Sequence, residues 1–594
     1  MSGICGSCDF FRDGGTLARR EEAHQMGEGL TCPQPVERGL WQSRHCVLVH
    51  RRPAGLAPQA RQPMVRGWEG AEYALVWDGA LTNGPELRRE LAEAGFPLDS
   101  HDDTETLLAA CILWGVETPR RLRGSFAYAF WDGGSRRLLC CRDRLGGRSL
   151  FWTWVDGTFL FASQQRALFC FPGLAPRLSQ DGLRQLLSLA PVPPPGIEMF
   201  EGIHLLPPAS LLIFSPDGVS VHPYWALESR PHPDDYPTTA ARVRQLADEA
   251  VRRELAGPPA LGSFLSGSLS SSFVTAAAAL AYTEDGRPPL DTWSLQRNGE
   301  SSVRQVADAF HTRHRALECP LPSLVNCMEE EGEILEFPAM ALSDAGLFFL
   351  CLQVSGTCHT VLTGTGGGCI LGGSLWPEGE GGTFLPLPRS TALPLGRQIF
   401  DPGLWHSSGV EEHGRDHLSR LLDRCPTLDG ESPRETQRRR ESWLAFNWLL
   451  PALLARNERL GRASGLDLRS PLCDHLLVEY AWNIPWSMKT ANGRPLQLLR
   501  DGTEDLLPQA VRDQAALPRI PAAESLYGQL VRARLARLLD DTNAPIRPLV
   551  EERALRRLLM EDGGAPVGSS IPKAHVMAYL VQLNRWMEAF HLSV

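Results

Sequence analysis

Gly262-Ser263-Phe264-Leu265-Ser266-Gly267-Ser268-Leu269-Ser270-Ser271-Ser272 sets a short apolar strand against a glycine/serine turn, and the alanine-rich run from Ser271 to Tyr282 continues it as a helix. Such a unit gathers backbone N–H groups and hydroxyls at the positive end of a helix dipole, an anion site suited to pyrophosphate. The G-K-[ST] ending of a Walker loop is absent. A second unit follows downstream. Thr360–Leu362 reads as a strand, and Thr363-Gly364-Thr365-Gly366-Gly367-Gly368-Cys369-Ile370-Leu371-Gly372-Gly373 as its glycine-rich loop. Two such units imply a parallel α/β sheet with ligands at its carboxyl edge.

Outside this region the pattern changes. Up to about residue 225 the chain consists of short apolar runs broken by Gly, Pro, Asn and Asp, among them Cys46–His50, Tyr73–Trp77, Phe126–Trp131, Leu138–Cys141 and Leu211–Phe214. These predict a mainly antiparallel β domain with helices at Pro85–Ala94 and Thr104–Gly115. Arg230-Pro231-His232-Pro233-Asp234-Asp235 is the best linker candidate. From 237 onward long helical segments dominate, beginning with an amphipathic helix at Ala240–Leu255, and the last third is almost wholly helical. The expected division is therefore 1–225, a linker at 226–236, and 237–594.

At 594 residues the chain exceeds one hydrophobic core. Its 43% hydrophobic and 22% charged residues are those of a globular protein. A net charge of −10 argues against nucleic acid or an anionic membrane as partner. The start lacks the apolar core of a signal peptide and no apolar run is long enough to span a bilayer, so a cytoplasmic location is expected. Fifteen cysteines show no repeating spacing. Cys5 and Cys8 form a lone C-x-x-C without a second ligand pair, so structural thiols are expected rather than a metal site.

Four segments resemble those of the glutamine-hydrolysing asparagine synthetase family, bacterial B type. The first loop is similar to its pyrophosphate loop S-G-G-x-D-S-S, with Ser268 at the second Gly and Ser270 at the Asp. The second is similar to S-G-x-G-x-D-E-x-x-G-G, with Gly368 at the Asp and Cys369 at the Glu. Arg469-Ser470-Pro471-Leu472-Cys473-Asp474-His475-Leu476-Leu477-Val478-Glu479-Tyr480 and Asn483-Ile484-Pro485-Trp486-Ser487-Met488-Lys489-Thr490 resemble R-x-P-F-x-D-H-x-L-V-E-Y and N-x-P-W-x-M-K-T. Two family lysines fall on Leu496 and Ala516. The resemblance implies an adenine nucleotide alpha hydrolase-like synthetase domain that uses ATP with Mg²⁺. Nucleotide positions would be Leu265, Ser266, Gly267, Ser271, Ser272, Leu295, Thr363, Gly364, Thr365 and Gly366. Mg²⁺ prefers charged oxygen ligands, and the acids that would supply them are missing at 270, 368 and 369. No metal site and no certain cofactor are therefore expected.

The resemblance also implies that the N-terminal domain is an Ntn-type αββα sandwich of the class II glutamine amidotransferases. Such an enzyme uses its N-terminal residue as nucleophile and its own α-amine as base. Removal of Met1 would expose Ser2 where the family has Cys. Trp77-Asp78-Gly79-Ala80-Leu81-Thr82-Asn83 resembles Y-N-G-E-I-Y-N. Asp78 then replaces an amide that donates to the oxyanion, and Ala80 replaces a Glu that anchors the substrate ammonium. Arg52, Gly79 and Asp103 keep family-like identities in this glutamine pocket. Loss of one oxyanion donor costs roughly 10²–10³ in rate.

The expected protein is thus an α/β and α+β two-domain member of this family that has lost the glutaminase and ATP–Mg chemistry and acts as a binding, regulatory or partner subunit. A small molecule or nucleotide would be its ligand, and a homodimer or a complex with an active synthetase or pathway enzyme its assembly. Two alternatives stay open: a diverged ATP-dependent amide ligase of the β-lactam synthetase or lasso-peptide cyclase kind, and an atypical asparagine synthetase.

Overall fold

The computed structural model describes residues 2–11, 16–33, 35–54, 61–189, 192–256, 261–296, 301–338, 341–373, 392–514, 526–560 and 572–592. Its N-terminal half holds two antiparallel sheets of six strands. The first runs in space as His204–Leu205, Phe151–Val155, Thr158–Ala162, Gly3–Cys8, Cys46–Pro53 and Val36–Gln42. The second runs as Gly218–Pro223, Ser210–Ser215, Arg137–Arg142, Gly124–Asp132, Ala71–Leu81 and Met64–Trp68.

Side chains alternate across a strand with period two, and here every other residue finds a different core. Ile4, Leu48 and Phe161 of the first sheet meet Val76, Ala129 and Phe214 of the second between the layers. Leu75 and Trp77, one residue out of step with Val76, pack against Leu87, Leu107 and Leu108 of the helices Gly84–Glu93 and Asp103–Trp114. On the far side, Cys5, Val49 and Leu160 pack on Met26 of the helix Thr16–Glu28. The order helix, sheet, sheet, helix is the αββα sandwich that the resemblance implies. It also separates Cys5 from Cys8, which face different cores.

The first-sheet core does not stop at the N-terminal half. It continues into Tyr527, Trp586 and Phe590 of the C-terminal helices Leu526–Asp540 and Lys573–Ala589 and the turn that follows. The Phe200 and Trp586 rings lie 5.7 Å apart, and the Tyr579 hydroxyl donates to the Leu186 carbonyl at 3.0 Å. Residues 224–235 carry no helix or strand, and the helix Tyr236–Leu255 opens the second half with Asp235 as its cap.

The third sheet is wholly parallel: Arg313–Leu317, Asp291–Leu295, Leu261–Phe264, Thr360–Leu362 and Asp467–Arg469. Leu261–Phe264 and Thr360–Leu362 are neighbours, so both glycine-rich loops leave the same, carboxyl, edge. The fifth strand comes from Asp467–Arg469, where the sequence patterning gives no strand signal. The helix after the first loop is Leu269–Glu284, two residues earlier than the serine run suggests, because Ser268 caps it by accepting from the Ser271 N–H. Among the described residues no helix is long and apolar enough to cross a membrane.

Candidate functional site

Ser2 and Asp78, predicted for a glutamine pocket, come together at the start of the strand Gly3–Cys8 and on Ala71–Leu81. Ser2 donates from its backbone N–H (3.1 Å) and its hydroxyl (2.9 Å) to Oδ1 of Asp78. The other carboxylate oxygen of Asp78 accepts from the Arg462 guanidinium at 2.8 Å. Asp78 is 3% exposed. Burial alone would raise its pKa, but Arg462, Arg148 and the Ser2 hydroxyl outweigh it and hold the carboxyl below its ordinary value. Asp78 is therefore held as an anion at the position where the resemblance implies a donor to an oxyanion.

The other charged pocket groups are paired within the chain as well. Arg52 donates to Glu37 from Nε at 2.7 Å and from a terminal nitrogen at 2.6 Å. Asp103 accepts from Arg88 at 3.2 Å, and burial raises its pKa despite that arginine. His50, fully buried near the charges of Asp78 and Arg52, is pulled down by burial to about 4 and is neutral. Gly79 has φ +141°, and a Cβ there would collide with the Ser125 carbonyl on the neighbouring strand, so glycine is required. Ala80 lines a cleft with a cavity volume of about 70 Å³ between the two halves, lined also by Ser125, Arg148, Glu254, Asn457 and Cys473.

The two glycine loops meet each other outside that cleft, touching Asn457, Ser470 and Cys473 of its lining. In the first, Ser266 Oγ and Ser268 Oγ each lie against Ser271 Oγ, at 2.9 and 3.0 Å. These hydroxyls satisfy one another and cap the helix. Ser272 Oγ is fully buried and has no hydrogen-bond partner among the described residues. Leu265 is buried at the strand end, Gly267 has φ +82°, and Leu295 ends the adjacent strand.

In the second loop Thr363 donates its N–H to the Arg469 carbonyl at 2.8 Å, and its hydroxyl meets Ser470 Oγ at 3.1 Å. Thr365 Oγ1 accepts from the Asn457 amide at 3.0 Å. A Cβ on Gly364 would strike the Ser271 backbone, one on Gly366 the Cys473 sulfur, and one on Gly367 the Ser270 hydroxyl. The loops thus close directly on each other.

This contact decides whether Mg²⁺ fits. Ser270 turns a neutral hydroxyl against Gly367, Gly368 has no side chain, and burial pushes the Cys369 thiol up to about 12, so it stays protonated. No charged oxygen faces the gap from these three positions, and the donor set does not suit Mg²⁺. Leu496, at the first lysine position, sits beside the second loop, donating its N–H to the Gly372 carbonyl at 3.1 Å. Its φ of +58° is rare for a branched residue. Ala516, the second lysine position, lies outside the described residues.

Of the residues that join the two halves, sequence reasoning reached Arg469 only as the opening of a motif and did not reach its role between them. Arg462 and Glu458 lie on one face of the helix Leu450–Ser464 and bond each other at 2.7 Å. Arg462 also donates to Ser163 Oγ at 2.9 Å, and Glu458 accepts from the Ser149 N–H and hydroxyl at 3.0 and 2.6 Å. Arg148 donates to Asp467 at 2.5 Å, Asp467 accepts from Arg469 at 2.7 Å, and Arg469 donates to Glu254 at 3.1 Å. The i,i+4 spacing of Glu458 and Arg462 is the one signal of this network present in the sequence.

Comparison with known proteins agrees with the motifs. The asparagine synthase family model matches residues 242–588, and the glutamine amidotransferase domain model matches residues 1–225. The chain is 30% identical to asparagine synthetase [glutamine-hydrolyzing] 3 of Bacillus subtilis over 617 aligned positions, covering 100% of each. It is 24% identical to asparagine synthetase [glutamine-hydrolyzing] 1 of the same organism, covering 84% of each. A solved glutamine phosphoribosylpyrophosphate amidotransferase from B. subtilis aligns with 48% of this chain and 64% of its own, at 15% identity and a TM-score of 0.27. On the full-length identity and the two domain matches, the chain belongs to the asparagine synthase family.

Proposed function

We propose that this family member has lost both the glutaminase and the ATP–Mg reaction and works as a binding, regulatory or partner subunit on the synthetase scaffold. The observation that carries the reading is the buried Asp78–Arg462 pair. It puts a held carboxylate where charge would have to build up on a substrate oxygen, and that anion opposes the transition state. The internal pairing of Arg52 with Glu37 and of Asp103 with Arg88 supports the same reading, because a glutamine zwitterion would have to displace both.

A second reading, a diverged amide ligase acting on other acids, draws on the survival of Ser266, Gly267, Gly364 and Gly366 in an otherwise altered pocket. The ligand favoured by either reading is a nucleotide, a phosphate or another small molecule, and a homodimer or a complex with an active synthetase is the expected assembly. Relatives named as glutamine-hydrolysing asparagine synthetases give the assay its reference reaction. Incubation with glutamine should release no glutamate above the uncatalysed rate. Turnover within about a hundredfold of a typical enzyme's ~10 s⁻¹ would overturn the proposed loss.

A further inference from the structure

We infer that Arg462 is a built-in occupant of the glutamine pocket, a clasp from the synthase half that keeps the pocket filled and couples the two halves of the chain. The inference builds on the reading that the pocket hydrolyses no glutamine and says what holds it shut. Arg462 and Asp78 are separated by 384 residues in sequence and come from different halves of the molecule. Their side chains are 2% and 4% exposed.

A lone charge at that depth costs far more than it returns, and here Arg462 balances Asp78 and Glu458 together, with Arg148 3.9 Å from Asp78 as a second, looser partner. This gives the acid at position 78 a physical reason. The guanidinium of Arg462 bonds two buried carboxylates, Asp78 and Glu458, and the amide of the family pattern would leave it only the second. Ser163, which also accepts from the Ile4 N–H at 3.1 Å, fixes the other terminal nitrogen. The guanidinium is thus held at the root of the strand that carries Ser2.

The clasp extends beyond one pair. Acids and bases alternate from Glu458 and Asp78 through Arg462, and from Arg148 through Asp467 and Arg469 to Glu254. Asp467 and Arg469 belong to the strand paired with Thr360–Leu362, and the Arg469 carbonyl receives the first N–H of the second glycine loop. A continuous polar path therefore links the glutamine pocket to the nucleotide loops of the fold.

The test is a double-mutant cycle in the full chain, Asp78→Asn, Arg462→Met and both together. Its readouts are thermal unfolding at a fixed scan rate and hydrogen exchange. Arg462→Met should lower the midpoint by about 5 °C or more, because it takes the guanidinium from two buried carboxylates, Asp78 and Glu458. Exchange should quicken in Ile4–Cys8 and in 360–365. Adding Asp78→Asn should return at least half of the lost midpoint. A shift under about 1 °C, or losses that simply add, would overturn the clasp. If Arg462→Met does not fold, the double variant with Glu458→Gln added decides: recovered folding supports the clasp, continued failure overturns it. Glutaminase activity in the natural chain would contradict the proposed function without altering this coupling, so the two failures are distinguishable.

Discussion

Lys489 is 3% exposed and shares its surroundings with Arg439 and Glu435. Burial first, and then the Arg439 charge, pull its amine down to about 7. Between that value and the ordinary lysine value the unfolded chain binds a proton that the folded chain does not. Stability contributed at this residue therefore rises with pH across that window, by at most about 1.4 kcal/mol per unit. Lys489→Met should raise the midpoint at pH 7 by a few degrees and remove this pH dependence; an unchanged difference between pH 7 and pH 10 would refute the burial argument. At this scale the sequence was half legible. Asp78 and Ala80 stand out against the family pattern at once. Arg462, by contrast, sits in an ordinary-looking helix, and only folding brings it to Asp78 across 384 residues.

Each glycine loop is a strand–turn–helix unit, and such units are readable because turn, cap and helix are neighbours in sequence. Ser268 both caps the helix and occupies the place of a family glycine. The Asp467–Arg469 strand was not readable. Two of its three residues are charged, and it is a strand only because Thr360–Leu362 offers it an edge. Packing between loops was equally hidden, since it depends on Gly364, Gly366 and Gly367 meeting Ser271, Cys473 and Ser270. It leads to a prediction about ligands. With the Ser266, Ser268 and Ser271 hydroxyls already satisfied and no acid at 270, 368 or 369, any ATP or phosphate binding should be weak and unaffected by Mg²⁺. Calorimetry with and without Mg²⁺ checks this; affinity that rises tenfold or more with the metal would contradict it.

Across the whole molecule, the two halves read separately from composition but do not pack separately. The first-sheet core runs on into Tyr527, Trp586 and Phe590, and the ion pairs of Arg462 and Arg148 cross the same boundary. Here the groups at both ends are turned toward each other, pocket charges paired with chain charges and loop hydroxyls with loop hydroxyls. The change from a β-rich to a helix-rich half follows from local patterning. The extent of contact between them does not, because no local pattern encodes which face of a late helix meets an early sheet.

The measurement that bears most directly on the central claim is ATP–pyrophosphate exchange by the full-length protein with Mg²⁺, over aspartate and a panel of other carboxylic acids. The account predicts no exchange above background with any of them. Mg²⁺-dependent exchange with aspartate would mark a working synthetase, and with any other acid a diverged ligase; either result would contradict the loss of chemistry proposed here.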